Sequence, residues 1–100
     1  LNYANCDLVG HTGNLEATKT AVETVDRNIG RLVEKVRVTD YEMLVTADHG
    51  NCEDMGSKEG PNTSHTLNKV PLIQLKEDNE IEEGSLCDVT EVIEDILIKN

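Results

Sequence analysis

Tyr41-Glu42-Met43-Leu44-Val45, followed by Thr46-Ala47-Asp48-His49-Gly50-Asn51, is the stretch on which the reading of this chain turns. The first five residues carry a short apolar run of the kind that forms a buried strand. The next six place an Asp and a His side by side at its carboxyl end. In open α/β sheets, ligands bind outside the carboxyl ends of the strands. The stretch therefore predicts both a sheet and a site at its edge.

Upstream, Leu15, Thr18, Val22, Val25, Ile29, Leu32, Val33 and Val36 recur at three- and four-residue steps, which predicts a helix from Leu15 to Arg37. Asn14 or Thr12 is placed to cap it. Gly30 falls inside it at a cost of about 1 kcal/mol relative to Ala. Asn2-Tyr3-Ala4 reads as the end of a short strand, and Asn5 to Gly13 as a loop. Downstream, Gly50 to Asn68 is polar and rich in turn formers, which predicts a long functional loop. Val70 to Leu75 reads as a strand, with Pro71 suiting an edge or first position. Glu77 to Glu83 reads as a solvated acidic loop. Asp88 is placed to cap a last helix with Val89, Val92, Ile93, Ile96 and Leu97 on its apolar face. The order suits a parallel or mixed α/β sheet. It is too thin to be a whole domain, so the chain reads as a piece of a larger one.

The chain has 100 residues and a formal net charge of −11. That acidity speaks against nucleic acid and anionic membrane surfaces as partners. The nine basic residues are scattered, so positive charge for a phosphate must come from metal ions or from residues outside the chain. With no Trp or Phe, the core must be aliphatic. Leu1 in place of Met suggests a processed, excised or incomplete product. No signal-peptide pattern and no membrane-spanning apolar run is visible. Cys6, Cys52 and Cys87 are odd in number and lack paired spacing, which reads as free thiols in a reducing cytosol.

The three histidines, His11, His49 and His65, lie in polar, Gly- or Thr-flanked sequence, and Asp7 and Asp48 lie close to the first two. Five such N and O donors suit borderline divalent ions such as Mn²⁺ or Zn²⁺. They exceed one tetrahedral site and suit a pair of ions, an arrangement that serves phosphoryl transfer. Each residue also has a plainer reading. Asp7 could be a helix N-cap, Asp48-His49 a turn after a strand, and His65 an inert surface histidine. Glu53 and Asp54 read as part of a solvated loop.

Asn2-Tyr3-Ala4-Asn5-Cys6-Asp7-Leu8-Val9-Gly10-His11-Thr12-Gly13 resembles the N-Y/F-A-N-x-D-x-V-G-H-T/S-G segment of the cofactor-independent phosphoglycerate mutases. Thr46 to Glu53 resembles that family's T-A-D-H-G-N-x-E. His65-Thr66-Leu67-Asn68-Lys69-Val70-Pro71 is similar to its H-T-x-N-x-V-P. Leu86 to Glu91 is similar to L-x-D-I/V-A-P, with Glu91 where the pattern has proline. Phosphopentomutase, another member of the alkaline phosphatase superfamily, shares only the Asp-x-x-x-Gly-His and Asp-His-Gly parts.

The resemblance implies the C-terminal portion of an alkaline-phosphatase-like three-layer α/β/α domain, residues 1–100 being an incomplete metal-binding segment of it. It implies two Mn²⁺ ions per intact site, with Zn²⁺ or Co²⁺ as alternatives. Asp7, His11 and His65 would hold one ion, and Asp48 and His49 the other. It implies interconversion of 3-phosphoglycerate and 2-phosphoglycerate in glycolysis through a phosphoserine, in a monomeric cytoplasmic enzyme. Ser57, Ser64 and Ser85 lie in no motif matching the nucleophile, so the chain alone is expected to be inactive. The alternatives are a non-catalytic divalent-metal-binding remnant and another phosphomutase of the superfamily.

Overall fold

A computed structural model describes residues 1–76 and 81–99. The elements run α1 (Asn5–Gly10), α2 (Leu15–Arg37), β1 (Leu44–Thr46), β2 (Leu72–Gln74), a 3-10 turn (Leu86–Asp88) and α3 (Val89–Lys99). Helices and a small sheet together make an α/β chain, as expected.

The expected long helix has the bounds that its apolar period predicts. Asn14 is its cap: the side-chain oxygen accepts from Ala17 N at 3.0 Å, a contact worth about 1 kcal/mol. Thr12 supports the cap by accepting from Asn14 N at 3.2 Å. Lys35 and Arg37 sit in the last turn, where they favour the carbonyl end of the helix dipole. Thr18, only 2% exposed, is tolerated inside because its hydroxyl donates to Asn14 O at 2.8 Å.

Two expectations at the N-terminus change. Asn2 to Ala4 form no strand, and the segment expected to be a loop contains α1. This short helix has no side-chain cap and packs on α2. The turn after it closes at Gly13, whose φ of 70° is the left-handed geometry that glycine adopts without strain.

The sheet also differs from the parallel or mixed arrangement. β1 and β2 pair antiparallel, Leu44 with Gln74, Val45 with Ile73 and Thr46 with Leu72. The pairing continues beyond the strands. Gly50 bridges Thr66 and Gly56 bridges Pro61, both antiparallel. The stretch expected to be one long loop is thus the outer part of a folded-back ribbon. Its tip closes where Ser57 and Gly60 exchange backbone hydrogen bonds at 3.1 and 3.2 Å. A ribbon can return on itself through a polar hairpin, whereas a parallel pair needs a crossover connection.

α3 begins directly after Asp88, as expected, but a 3-10 turn capped by Ser85 leads into it. The Asp88 side chain closes a capping box on that turn, accepting from Ser85 N at 2.7 Å. Of the expected acidic loop, residues 77–80 lie outside the described residues, and Glu82 and Glu83 are exposed. Ala21 and Ile96 are the buried apolar side chains among the described residues. Open clefts of about 640 and 730 Å³ separate α3 from the ribbon. No helix among the described residues is long and apolar enough to cross a membrane.

Candidate metal centre

The three segments that carry histidine meet at Asp7. Asp7 on α1 and His11 at its C-cap are four residues apart and share a face; His11 Nε2 lies 3.1 Å from Asp7 Oδ1. The outward limb of the ribbon brings His49 Nε2 to 3.6 Å from the same oxygen. The returning limb brings His65 Nε2 to 3.2 Å. His49 and His65 stack with ring centres 3.5 Å apart, and His11 is tilted against His65 at 5.1 Å. Donor atoms of Asp7, His11 and His65 all fall within 4.8 Å of one another.

Asp48 is the outlier of the expected five. Its side chain is 84% exposed, and its Oδ1 lies 3.7 Å from His49 Nε2. It faces the 640 Å³ cleft together with His49. Asp7, His11 and His65 are thus brought together, His49 joins them, and Asp48 stands at the edge.

The donor set fits a divalent cation on chemical grounds. His11 Nδ1 lies 2.6 Å from Thr63 O, and His49 Nδ1 lies 3.2 Å from Gly50 O. A carbonyl can only accept, so each Nδ1 carries the hydrogen and donates. In the neutral ring, Nε2 is then a lone pair facing the Asp7 carboxylate, acceptor against acceptor. A proton or a cation has to sit between them. Metal bonds of about 2.1 Å place neighbouring ligand atoms roughly 3.0–3.5 Å apart, which matches the 3.1 and 3.2 Å from His11 and His65 Nε2 to Asp7 Oδ1. Backbone anchoring of the distal nitrogen is also how ligating histidines are commonly oriented.

Asp7 feels opposing influences. Partial burial raises its pKa. The Asn51 amide and the neighbouring His11, His49 and His65 lower it, and the net direction is down from 3.8. The carboxylate form that ligation requires is therefore favoured.

Two residues outside the expected site support it. Asn51 is 4% exposed and donates from Nδ2 to Asp7 Oδ1 at 3.3 Å. Glu53 is exposed and lies outside any helix or strand, as expected, and it also accepts from Asn51 N at 2.6 Å, from the Thr66 hydroxyl, and from Asn68 Nδ2 at 3.2 Å. The only sequence signal for either was its place in the T-A-D-H-G-N-x-E pattern. Cys6, Cys52 and Cys87 are free thiols, as expected. Cys52 Sγ donates to Cys6 O at 2.8 Å. Burial, with Cys6 beside it, pushes its pKa up and keeps it protonated.

Comparison with known proteins bears on the same residues. The model of the Metalloenzyme superfamily matches residues 1–100. Three relatives share the name 2,3-bisphosphoglycerate-independent phosphoglycerate mutase. That of Cereibacter sphaeroides is 59% identical over 75 residues, 73% of this chain and 15% of the relative. That of Natronomonas pharaonis is 55% identical over 73 residues, 73% of this chain and 14% of the relative. That of Ehrlichia canis is 44% identical over 101 aligned positions, 97% of this chain and 20% of the relative. The chain spans a fifth or less of the length of these relatives.

Proposed function

Because this chain belongs to the Metalloenzyme superfamily, we propose that it is the metal-binding segment of a cofactor-independent phosphoglycerate mutase. The intact protein would interconvert 3-phosphoglycerate and 2-phosphoglycerate through a phosphoserine, as a monomeric glycolytic enzyme of the cytoplasm. The observation that carries the reading is the convergence of His11 and His65 Nε2 on Asp7 Oδ1, at 3.1 and 3.2 Å. Asp7 and His11 lie on one segment and His65 on another far along the chain, so only the folded arrangement brings these three donors together.

In this reading Asp7, His11 and His65 hold one divalent ion, and Asp48 and His49 contribute to a second. Mn²⁺ is the ion proposed, and Zn²⁺ or Co²⁺ suits the same donors. Bound there, such ions supply Lewis-acid stabilisation of phosphoryl oxygens and activation of an attacking oxygen. The chain's own residues do the orienting. Thr63 O and Gly50 O fix the ring tautomers, and Asn51 holds the Asp7 carboxylate. The cleft beside Asp48 and His49 offers about 640 Å³, room for a small phosphorylated acid.

The hydroxyls of Ser57 and Ser85 are engaged in local turn and capping contacts, and no serine stands in the family's nucleophile motif. The chain alone is therefore proposed not to turn over 3-phosphoglycerate. Calorimetric titration with Mn²⁺ tests the centre. The chain should show a defined binding site that His65→Ala abolishes. Equal, weak binding by both would reduce the signal to attraction by an acidic surface and overturn the reading.

A further inference from the structure

We infer that Glu53 is the positioning residue that fixes Asp7 and His65 relative to one another, by clipping together the two limbs of the ribbon. The inference rests on the metal-centre reading above. Glu53 is not a ligand: the donor group that converges among the described residues is Asp7, His11 and His65. It acts through residues on either side of it.

One oxygen serves the outward limb. Glu53 Oε2 accepts from Asn51 N at 2.6 Å, and Asn51 in turn donates to Asp7 Oδ1 at 3.3 Å and to Asp7 O at 3.5 Å. The other oxygen serves the returning limb. Glu53 Oε1 accepts from the hydroxyl of Thr66, the residue after His65, and from Asn68 Nδ2 at 3.2 Å. The backbone closes the same gap, Thr66 N donating to Gly50 O at 2.8 Å. Gly50 makes room for the clip. A Cβ there would overlap both Glu53 Oε1 and Thr66 Oγ1.

A surface carboxylate on a chain this acidic is ordinarily solvated. Glu53 is exposed too, yet it uses both oxygens on three residues from two segments. Bonds to an ionised acceptor are roughly twice as strong as neutral ones. The Thr66 hydroxyl is also the main reason that the Glu53 carboxyl is held below its ordinary range. Residues that orient metal ligands from behind cost about 10–100-fold in metal affinity when removed, so the effect is large enough to measure.

The test uses the 100-residue chain, its Glu53→Ala, Thr66→Val, Thr66→Ser and His65→Ala variants, and Co²⁺ as the probe. Glu53→Ala and Thr66→Val should each weaken Co²⁺ binding by about 10–100-fold and alter the visible absorption bands. Thr66→Ser, which keeps the hydroxyl, should behave as the parent. In the metal-free chain, the nuclear Overhauser contact between the His49 and His65 rings should be lost in Glu53→Ala. Parent affinity, parent spectrum and a retained ring contact in Glu53→Ala would overturn the inference. Should Glu53→Ala lose its helical circular dichroism, the same readouts on Thr66→Val decide in its place. If the parent and His65→Ala bind Co²⁺ equally weakly, the metal-centre reading fails, and the ring contact still decides whether Glu53 positions His65.

Discussion

Asn51 reaches 44 residues back along the chain to donate its side-chain amide to Asp7, Nδ2 to Oδ1 at 3.3 Å. The contact ties the short helix α1 to the ribbon, and it is possible because Gly10 has no side chain. A Cβ on Gly10 would lie 2.9 Å from Asn51 Oδ1 and 3.2 Å from Nδ2. Asn51 is almost fully buried and has little space into which to retreat.

Gly10→Ala should therefore weaken Mn²⁺ binding by about tenfold or more, by displacing the amide that holds Asp7. Gly30→Ala is the control. Nothing lies within 4 Å of a Cβ at Gly30, so the change should stabilise α2 by about 0.5–1 kcal/mol. Calorimetry and thermal melts followed at 222 nm check the pair. Equal effects of the two changes on metal binding would contradict the close-contact argument.

His49 and His65 should differ in weight. His65 is a member of the converging group, whereas His49 stacks on it and reaches Asp7 only at 3.6 Å. We expect His65→Ala to abolish the first equivalent of Mn²⁺, and His49→Ala to weaken it by no more than about tenfold while removing any second equivalent. Titration stoichiometry separates the two. Loss of the first equivalent in both variants would merge the two proposed sites into one.

Much of this was legible in the sequence, and the failures have physical causes. The long helix α2 shows an unbroken apolar period and a true cap, so its bounds follow from local chemistry. The helix α1 has neither. Six residues without a cap hold together through the pairing of Asp7 with His11 and through packing on α2, which are tertiary effects. An apolar run announces a strand and is silent on direction, so the antiparallel return of β2 had no local signal. The ligand candidates were readable because the chain has only three histidines, two of them with an Asp within four positions. Glu53 was not, because a glutamate in a polar segment looks the same whether it is solvated or clipping two chains together.

The Glu53 clip should respond to acid. Its carboxyl is held below the ordinary value of 4.5, first by the Thr66 hydroxyl and then by the Asn51 and Asn68 donors, against some desolvation. A group whose folded pKa is depressed stabilises the fold above its unfolded value, and that contribution is lost as pH falls through the folded value. The stability gap between the parent and Glu53→Gln should thus be constant near neutrality and close below pH 4.5. Urea midpoints from pH 7 to pH 3 check it. A gap that widens on acidification would contradict the sign.

Mn²⁺ should stabilise the fold as well as bind. A ligand that binds only the native state adds about 2.7 kcal/mol when present at a hundred times its dissociation constant. The melting temperature should therefore rise with Mn²⁺, and a chelator should reverse the rise. His65→Ala should show neither change. A parent melting curve indifferent to Mn²⁺ would disconnect binding from the folded arrangement of the three segments.

The chain should also self-associate, and salt should promote it. Its radius of gyration is 15.6 Å, against about 13 Å for a compact domain of this length. Val22 on α2, Ile73 on β2, and Ile93 and Leu97 on α3 are all exposed. Among the described residues, both strands of the ribbon leave an outer edge unpaired, a template for further pairing. The net charge of −11 opposes association when screening is weak. Raising ionic strength from about 0.01 M to about 0.15 M shortens the Debye length from about 30 Å to about 8 Å, removing that repulsion while leaving the apolar surface intact. Sedimentation velocity should show heavier species as salt or protein concentration rises, with binding of an apolar dye in the same range. Val22→Lys and Leu97→Lys together should suppress both. A chain that stays monomeric and binds no dye across that range would mean that these apolar faces find partners within the molecule.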